Sequence, residues 1–224
     1  AVHRMENPGK LPLTLIEVQK TNDFINTLLA KFDEGGILPI WDLSANYTGC
    51  MIGYHAVSVI ADAFMKGIRK YDAQKALNAM QHSAQQGKLG LADYKSLGYI
   101  SMENESESVS KTLEYAYDDW ALAQMAKELG VSEVYKTYIK RAQNYKNVFD
   151  PETQFMRGRF RNTWFAPFNP HEVNFNYTEA NAWQYSNYVP QDFSGYINLL
   201  GSKAQFETNL DTLFLAHPET TGRK

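Results

Sequence analysis

Apolar residues return every third or fourth position through most of this chain, and nearly every such run stops at a glycine. Leu15, Ile16, Phe24, Ile25, Leu28, Leu29 and Phe32 form the first run, closed by Gly35 and Gly36. Ile52, Ala56, Val59, Ile60, Ala63 and Phe64 form the second, closed by Gly67. That period gathers each set on one face of an α-helix, and glycine reaches the left-handed backbone with which helices commonly end. A third helix is expected over about 72–86, a long one from Ser106 or Ser108 to Gly130, a fifth over about 132–148, and two more over about 192–200 and 203–214. GLADYKSLGYIS reads as a turn-and-cap region. The one candidate for strands is 155–164, a hairpin or flap whose Arg157, Arg159 and Arg161 would pair with carboxylates of neighbouring helices. The connections alternate between short and long. Antiparallel helix pairs set in a ring have this pattern, with tight turns on one face and long loops over a cleft on the other. The expected fold is therefore all-α, an incomplete α/α toroid of about seven principal helices. No constant repeat period supports a solenoid.

A chain of 224 residues allows one domain or at most two. Its 22 basic and 25 acidic residues leave a formal charge of -3, without the clustered cations that a nucleic-acid partner needs. A single cysteine, Cys50, excludes an internal disulfide and a thiolate metal cluster. No apolar run is long enough for a membrane span, and AVHRMENPGK lacks the apolar core of a signal peptide.

The stretch most suited to chemistry is YTEANAWQYSNYVPQD, from Tyr177 to Asp192. It mixes carboxylates, carboxamides and aromatic rings as a pyranose would require, because a sugar has apolar C–H faces and a rim of hydroxyls. A polar loop with aromatic anchors accounts for that composition equally well. Glu179 beside Trp183 is the candidate general acid, since an apolar neighbour favours the protonated carboxyl. Asp192 suits substrate contact or the N-cap of the following helix. A second stretch, WDLSANYTGCMIGYH, offers Trp41, Asn46, Tyr54 and His55 at a helix entrance. His55 has no companion at metal-ligand spacing, and ordinary capping by Ser44 or Thr48 explains the turn as well. In the long helix, Glu114 and Asp118 lie four apart on one face, so their charges repel unless a cation or partner stands between them. Together with Asp119 they are expected to be buried supports for an active-site loop, ahead of direct catalysis.

WDLSANYTGCMIGYHAVSVIADAFMKGI, ESVSKTLEYAYDDW, RAQNYKNVFDPETQFMRGR, YTEANAWQYSNYVPQD and HPETTGR, in this order, together resemble glycoside hydrolase family 92, the calcium-dependent exo-acting α-mannosidases. The resemblance implies a partial (α/α)6 toroid over 15–224, preceded by a segment 1–14 without a family match. It implies inverting hydrolysis of terminal α-linked mannose by the complete enzyme, with mannose-containing glycans as substrates. The family's T-E-G-N-A-W-Q-Y pattern falls on Glu179 as the acid, with Ala180 in place of the glycine, and Trp183, Gln184 and Tyr185 match it. Trp41, Asn46, Tyr54, His55, Trp183, Gln184 and Asp192 are implied as substrate contacts. Gln191 stands where the family has a histidine. The aspartate of a W-D-T-F-R segment has no counterpart in RMENPGKLPL, and the calcium-associated N-E-P segment and general base are expected beyond Lys224. This chain alone is thus expected to bind calcium weakly or not at all and to lack activity without the flanking domains of the same enzyme. A periplasmic or secreted location is implied, and a non-catalytic helical carbohydrate-binding or interaction module is the alternative.

Overall fold

The structure is a computed structural model that describes residues 13–43, 46–215 and 220–222, with side chains over 20–41, 47–215 and 220–222. Helix α1 (Leu13–Gly35) leads through the two-residue strands β1 (Asp42–Leu43) and β2 (Asn46–Tyr47) to α2 (Ala56–Met65), α3 (Ala73–Ala84) and α4 (Leu91–Leu97). Then come α5 (Ser108–Glu128), α6 (Ser132–Arg141) and a 3-10 turn (Asn144–Val148). Strands β3 (Phe149–Asp150) and β4 (Phe155–Met156) pair antiparallel, as do β5 (Arg159–Phe160) and β6 (Thr163–Trp164). After β7 (Glu172–Val173) follow α7 (Ala182–Tyr185), α8 (Phe193–Leu200), α9 (Lys203–Leu215) and β8 (Thr221–Gly222), which lies parallel to β7. Among the described residues no sheet exceeds two strands, so the fold is predominantly helical, with antiparallel helix pairs. No described helix is long and apolar enough to cross a membrane.

Helix α5 is the axis of the packing. Sixteen of its 21 residues are buried, which no one-sided helix can achieve, and its closest neighbours are α6 and α2. Its first half contributes Val109, Leu113 and Ala116 to one apolar cluster, with Tyr145, Met156, Tyr177 and Tyr196. Its second half contributes Leu122, Met125 and Ala126 to another, with Ile25, Ile60, Leu77 and Tyr138. A helix buried on every side must pair each polar group it carries. Lys111 does so through Glu105 at 2.6 Å and Glu107 at 3.5 Å. Asp119, with none of its side chain exposed, accepts from Arg141 Nε at 2.7 Å, Tyr54 Oη at 2.7 Å and Tyr94 Oη at 3.1 Å. Burial pushes the Asp119 carboxyl up to about 6, against the guanidinium and the tyrosine hydroxyls that pull it down.

Three expectations need correction. GLADYKSL is a helix, α4, bounded by Gly90 and Gly98 in the left-handed conformation and anchored by buried Leu91 and Tyr94. Helix α2 begins at Ala56, because Met51 and Gly53 both have positive φ and hold 51–55 in a turn. The flap arginines do not reach carboxylates on helices. Arg157 pairs with Asp150 of its own hairpin at 2.8 Å, and the Arg159 guanidinium lies 4.3 Å from the Tyr99 ring centre. Arg161 donates its backbone N–H to Glu103 at 3.0 Å. Of the segment 1–14, residues 1–12 lie outside the described residues, as does most of HPETTGR.

Removing one member of a buried ion pair strands the other. Arg141→Met should cost about 3–5 kcal/mol of unfolding free energy in urea titration at pH 7, and adding Asp119→Asn should recover part of that loss. An Arg141→Met variant as stable as the parent would show that the tyrosine hydroxyls alone suffice for Asp119.

Candidate active site

Ser110, Glu114 and Asp118 follow one another at four-residue intervals, so they share a face of α5. Each takes hold of a loop. The Thr178 N–H donates to Ser110 Oγ at 2.9 Å, the Tyr185 hydroxyl to Glu114 Oε1 at 3.0 Å, and the Tyr54 N–H to Asp118 Oδ2 at 2.9 Å. His55 stands between the two carboxylates, with Nδ1 2.9 Å from Asp118 Oδ1 and Nε2 2.8 Å from Glu114 Oε2. The repulsion inherent in Glu114 and Asp118 is therefore relieved by a cation.

Burial by itself would lower the His55 pKa, but hydrogen bonds to Asp118 and Glu114 outweigh it and push it up to about 10. Both ring nitrogens then carry protons, and both donate. Burial also pushes the Asp118 carboxyl up, opposed by the imidazolium and the Tyr54 N–H. For Tyr185, burial and then the Glu114 charge push the phenol up to about 12, so it remains a donor. Gly53 makes room for the imidazole: with φ +82°, its missing Cβ would stand 2.3 Å from His55 Nε2.

A cavity of about 590 Å³ opens over this arrangement, lined by Ile40, Trp41, Cys50, Met51, Ile52, His55, Glu114, Thr178 and Tyr185. Trp41 is 46% exposed. A bare indole beside a carboxylate, a phenol and an imidazolium can receive the apolar face and the hydroxyl rim of a sugar.

The remaining candidates lie at varying distances from this centre. Glu179 follows the cavity-lining Thr178; it is exposed, has φ +50°, and has no hydrogen-bond or ion-pair partner among the described residues. Tyr54 is 5% exposed and stacked on Tyr115, with its hydroxyl committed to Asp119, so it supports the site without lining the cavity. Trp183 donates its indole N–H to His171 at 3.3 Å and packs edge-on against Phe155. Gln184 closes a capping box with Asn181 that starts α7. Asp192 caps α8 through the Gly195 N–H at 2.9 Å and accepts from Tyr145 at 2.8 Å, away from the cavity lining. The side chain of Asn46 lies outside the described residues. Ser110 and Gly53 were not among the expected site residues, although the spacing of Ser110 from Glu114 and the glycine two places before His55 are both visible in the chain.

The calcium implied by the resemblance does not fit this cluster. All four carboxylate oxygens of Glu114 and Asp118 already accept hydrogen bonds, and the imidazolium fills the space between them. Among the described residues no group of three or more His, Cys, Asp or Glu is placed to hold a metal ion.

The raised His55 pKa has a definite sign. Protonated in the fold up to about 10 and ordinarily near 6.5, His55 contributes stability that is complete below pH 6.5 and is lost as pH rises through about 10. ¹⁵N NMR at pH 8 should show both His55 ring nitrogens protonated, and His55→Gln should flatten the pH dependence of stability between about 6.5 and 10. A neutral ring at pH 8 would remove the imidazolium from this description.

Residues 10–224 match the catalytic domain of glycosyl hydrolase family 92. In three dimensions the chain is similar to a family 92 α-mannosidase from Bacteroides thetaiotaomicron, with TM-score 0.86 and 43% identity, over 90% of this chain and 27% of that one. It is similar to a family 92 inverting mannosidase from Bacteroides thetaiotaomicron VPI-5482, with TM-score 0.84 and 34% identity, over 87% of this chain and 27% of that one. An uncharacterized secreted glycosidase of Arthroderma benhamiae is 29% identical over 85% of this chain and 30% of its own length. The chain thus spans less than a third of the length of these relatives. On the extent of the catalytic-domain match, this chain belongs to glycosyl hydrolase family 92.

Proposed function

We propose that this chain supplies the acid side of an inverting α-mannosidase, within a toroid whose ring is completed by helix pairs outside this chain. The observation that carries the reading is Glu179, a carboxyl with no partner of its own among the described residues, one position from the cavity wall. The other candidate carboxylates, Glu114, Asp118, Asp119 and Asp192, are all committed to hydrogen bonds within the fold. A general acid must be free to give its proton to the departing glycosidic oxygen, and Glu179 alone of this set is free.

In this reading Trp41 receives the apolar face of a terminal mannose, while Glu114 and the Tyr185 hydroxyl meet its hydroxyls. Glu179 protonates the leaving oxygen. His55, already protonated and held on both sides, serves as a fixed positive charge and not as a base. The residue that activates water on the opposite face, about 6.5–9.5 Å from the acid in inverting enzymes, belongs to another part of the enzyme. The two Bacteroides relatives, an α-mannosidase and an inverting mannosidase, support mannose and inversion, and the secreted relative supports an extracellular location. The calcium of the complete enzyme would be held by residues other than Glu114 and Asp118.

Glu179→Gln keeps the side-chain shape and removes the transferable proton. In the natural polypeptide that carries this sequence it should lower kcat about 10²- to 10⁴-fold on mannosides with poor leaving groups. The loss should be far smaller on activated aryl mannosides, with little change in Tm. Equal loss on both substrates together with early melting would make Glu179 a structural residue. No turnover by the parent would favour a non-catalytic carbohydrate-binding module.

A further inference from the structure

Glu179 has little of its own to hold it in place, although the residues after it are fixed by the capping box of α7. Glu179 occupies the left-handed backbone region, which disfavours any residue with a Cβ, and its side chain finds no partner among the described residues. Its position, next to the cavity-lining Thr178, must be set by its neighbours. On one side the Thr178 N–H is held by Ser110 Oγ at 2.9 Å. On the other, six residues on, the Tyr185 hydroxyl is held by Glu114 at 3.0 Å. Both acceptors lie on the same face of α5, one turn apart, and Ser110 is fully buried. His55 fixes the second oxygen of Glu114 and leaves that carboxylate little freedom to follow a moving tyrosine.

We propose that Ser110 and Tyr185 are positioning residues for Glu179, pinning the acid-bearing segment to α5 from both of its ends. The inference rests on the reading of Glu179 as the general acid. Neither hydroxyl takes part in proton transfer to the leaving group. Their contribution is to keep the carboxyl in line with the glycosidic oxygen, where a displacement of about 1 Å can cost about 10²-fold in rate.

Ser110→Ala and Tyr185→Phe each delete a single oxygen with little change of shape. Both variants, and Glu179→Gln beside them, would be made in the natural polypeptide and assayed on a mannoside with a poor leaving group and on an activated aryl mannoside. Each anchor variant should lower kcat on the first substrate by about 10- to 100-fold with a far smaller loss on the aryl substrate, and Ser110→Ala, whose hydroxyl is buried away from the cavity lining, should also leave KM within about threefold. Amide hydrogen exchange at Thr178 and Glu179 should accelerate in parallel. Equal loss on the two substrates, or no loss on either while Glu179→Gln shows the leaving-group effect, overturns the proposal. If Glu179→Gln lacks that effect, the acid reading falls by itself. Faster exchange in the anchor variants would then still uphold the pinning of the segment, and unchanged exchange would overturn it.

Discussion

The site depends on one imidazolium between two carboxylates. Asp118 and Glu114 are brought together by helical spacing alone, at a separation where two negative charges oppose folding. His55 turns that liability into a crosslink, since its two N–H groups point to opposite sides of the ring and one reaches each acid. The consequence extends beyond electrostatics. Asp118 also takes the Tyr54 N–H and Glu114 the Tyr185 hydroxyl, so neutralising the pair joins the turn before α2 to the segment around α7 through a single helix.

The second buried cluster gives that helix its rigidity. Asp119, the next residue along α5 and about 100° further round it, reaches Arg141, Tyr54 and Tyr94, with the guanidinium also over the rings of Tyr94 and Tyr138. Adjacent aspartates therefore secure α5 on two sides, one toward the cavity and one toward α4 and α6. Tyr54 belongs to both sets: its N–H goes to Asp118 and its hydroxyl to Asp119. A change in either cluster is thus felt in the other, and the packing and the cavity wall cannot vary independently.

Much of this can be read before any coordinates are seen, for reasons that differ from element to element. Helices α1, α3, α5, α8 and α9 announce themselves because apolar residues recur in them at spacings of three and four. Helix α4 does not: seven residues with two buried positions are too few to separate a helix from a turn. The like charges of Glu114 and Asp118 already call for a partner between them, yet nothing local identifies His55, 59 residues from Glu114. Arg141 is equally silent, since its role follows from α6 lying against α5. The flap arginines mislead because sequence shows three cations but not that Asp150 and the ring of Tyr99 are nearer than any helix. Tertiary proximity, and not side-chain type, decides each of these cases. Glu179 presents the converse: its surroundings suggest a sheltered acid, whereas the described residues leave it exposed.

Because the turn that carries Tyr54 and His55 and the segment from Thr178 to Tyr185 are both mounted on the same face of α5, the cavity resembles a vice with both jaws bolted to one bar. Thermal displacement of that bar carries the jaws in the same direction, and their separation changes only when one of these hydrogen bonds stretches. The two segments therefore share one reference frame, and the width of the gap between them is set by their hydrogen bonds to α5.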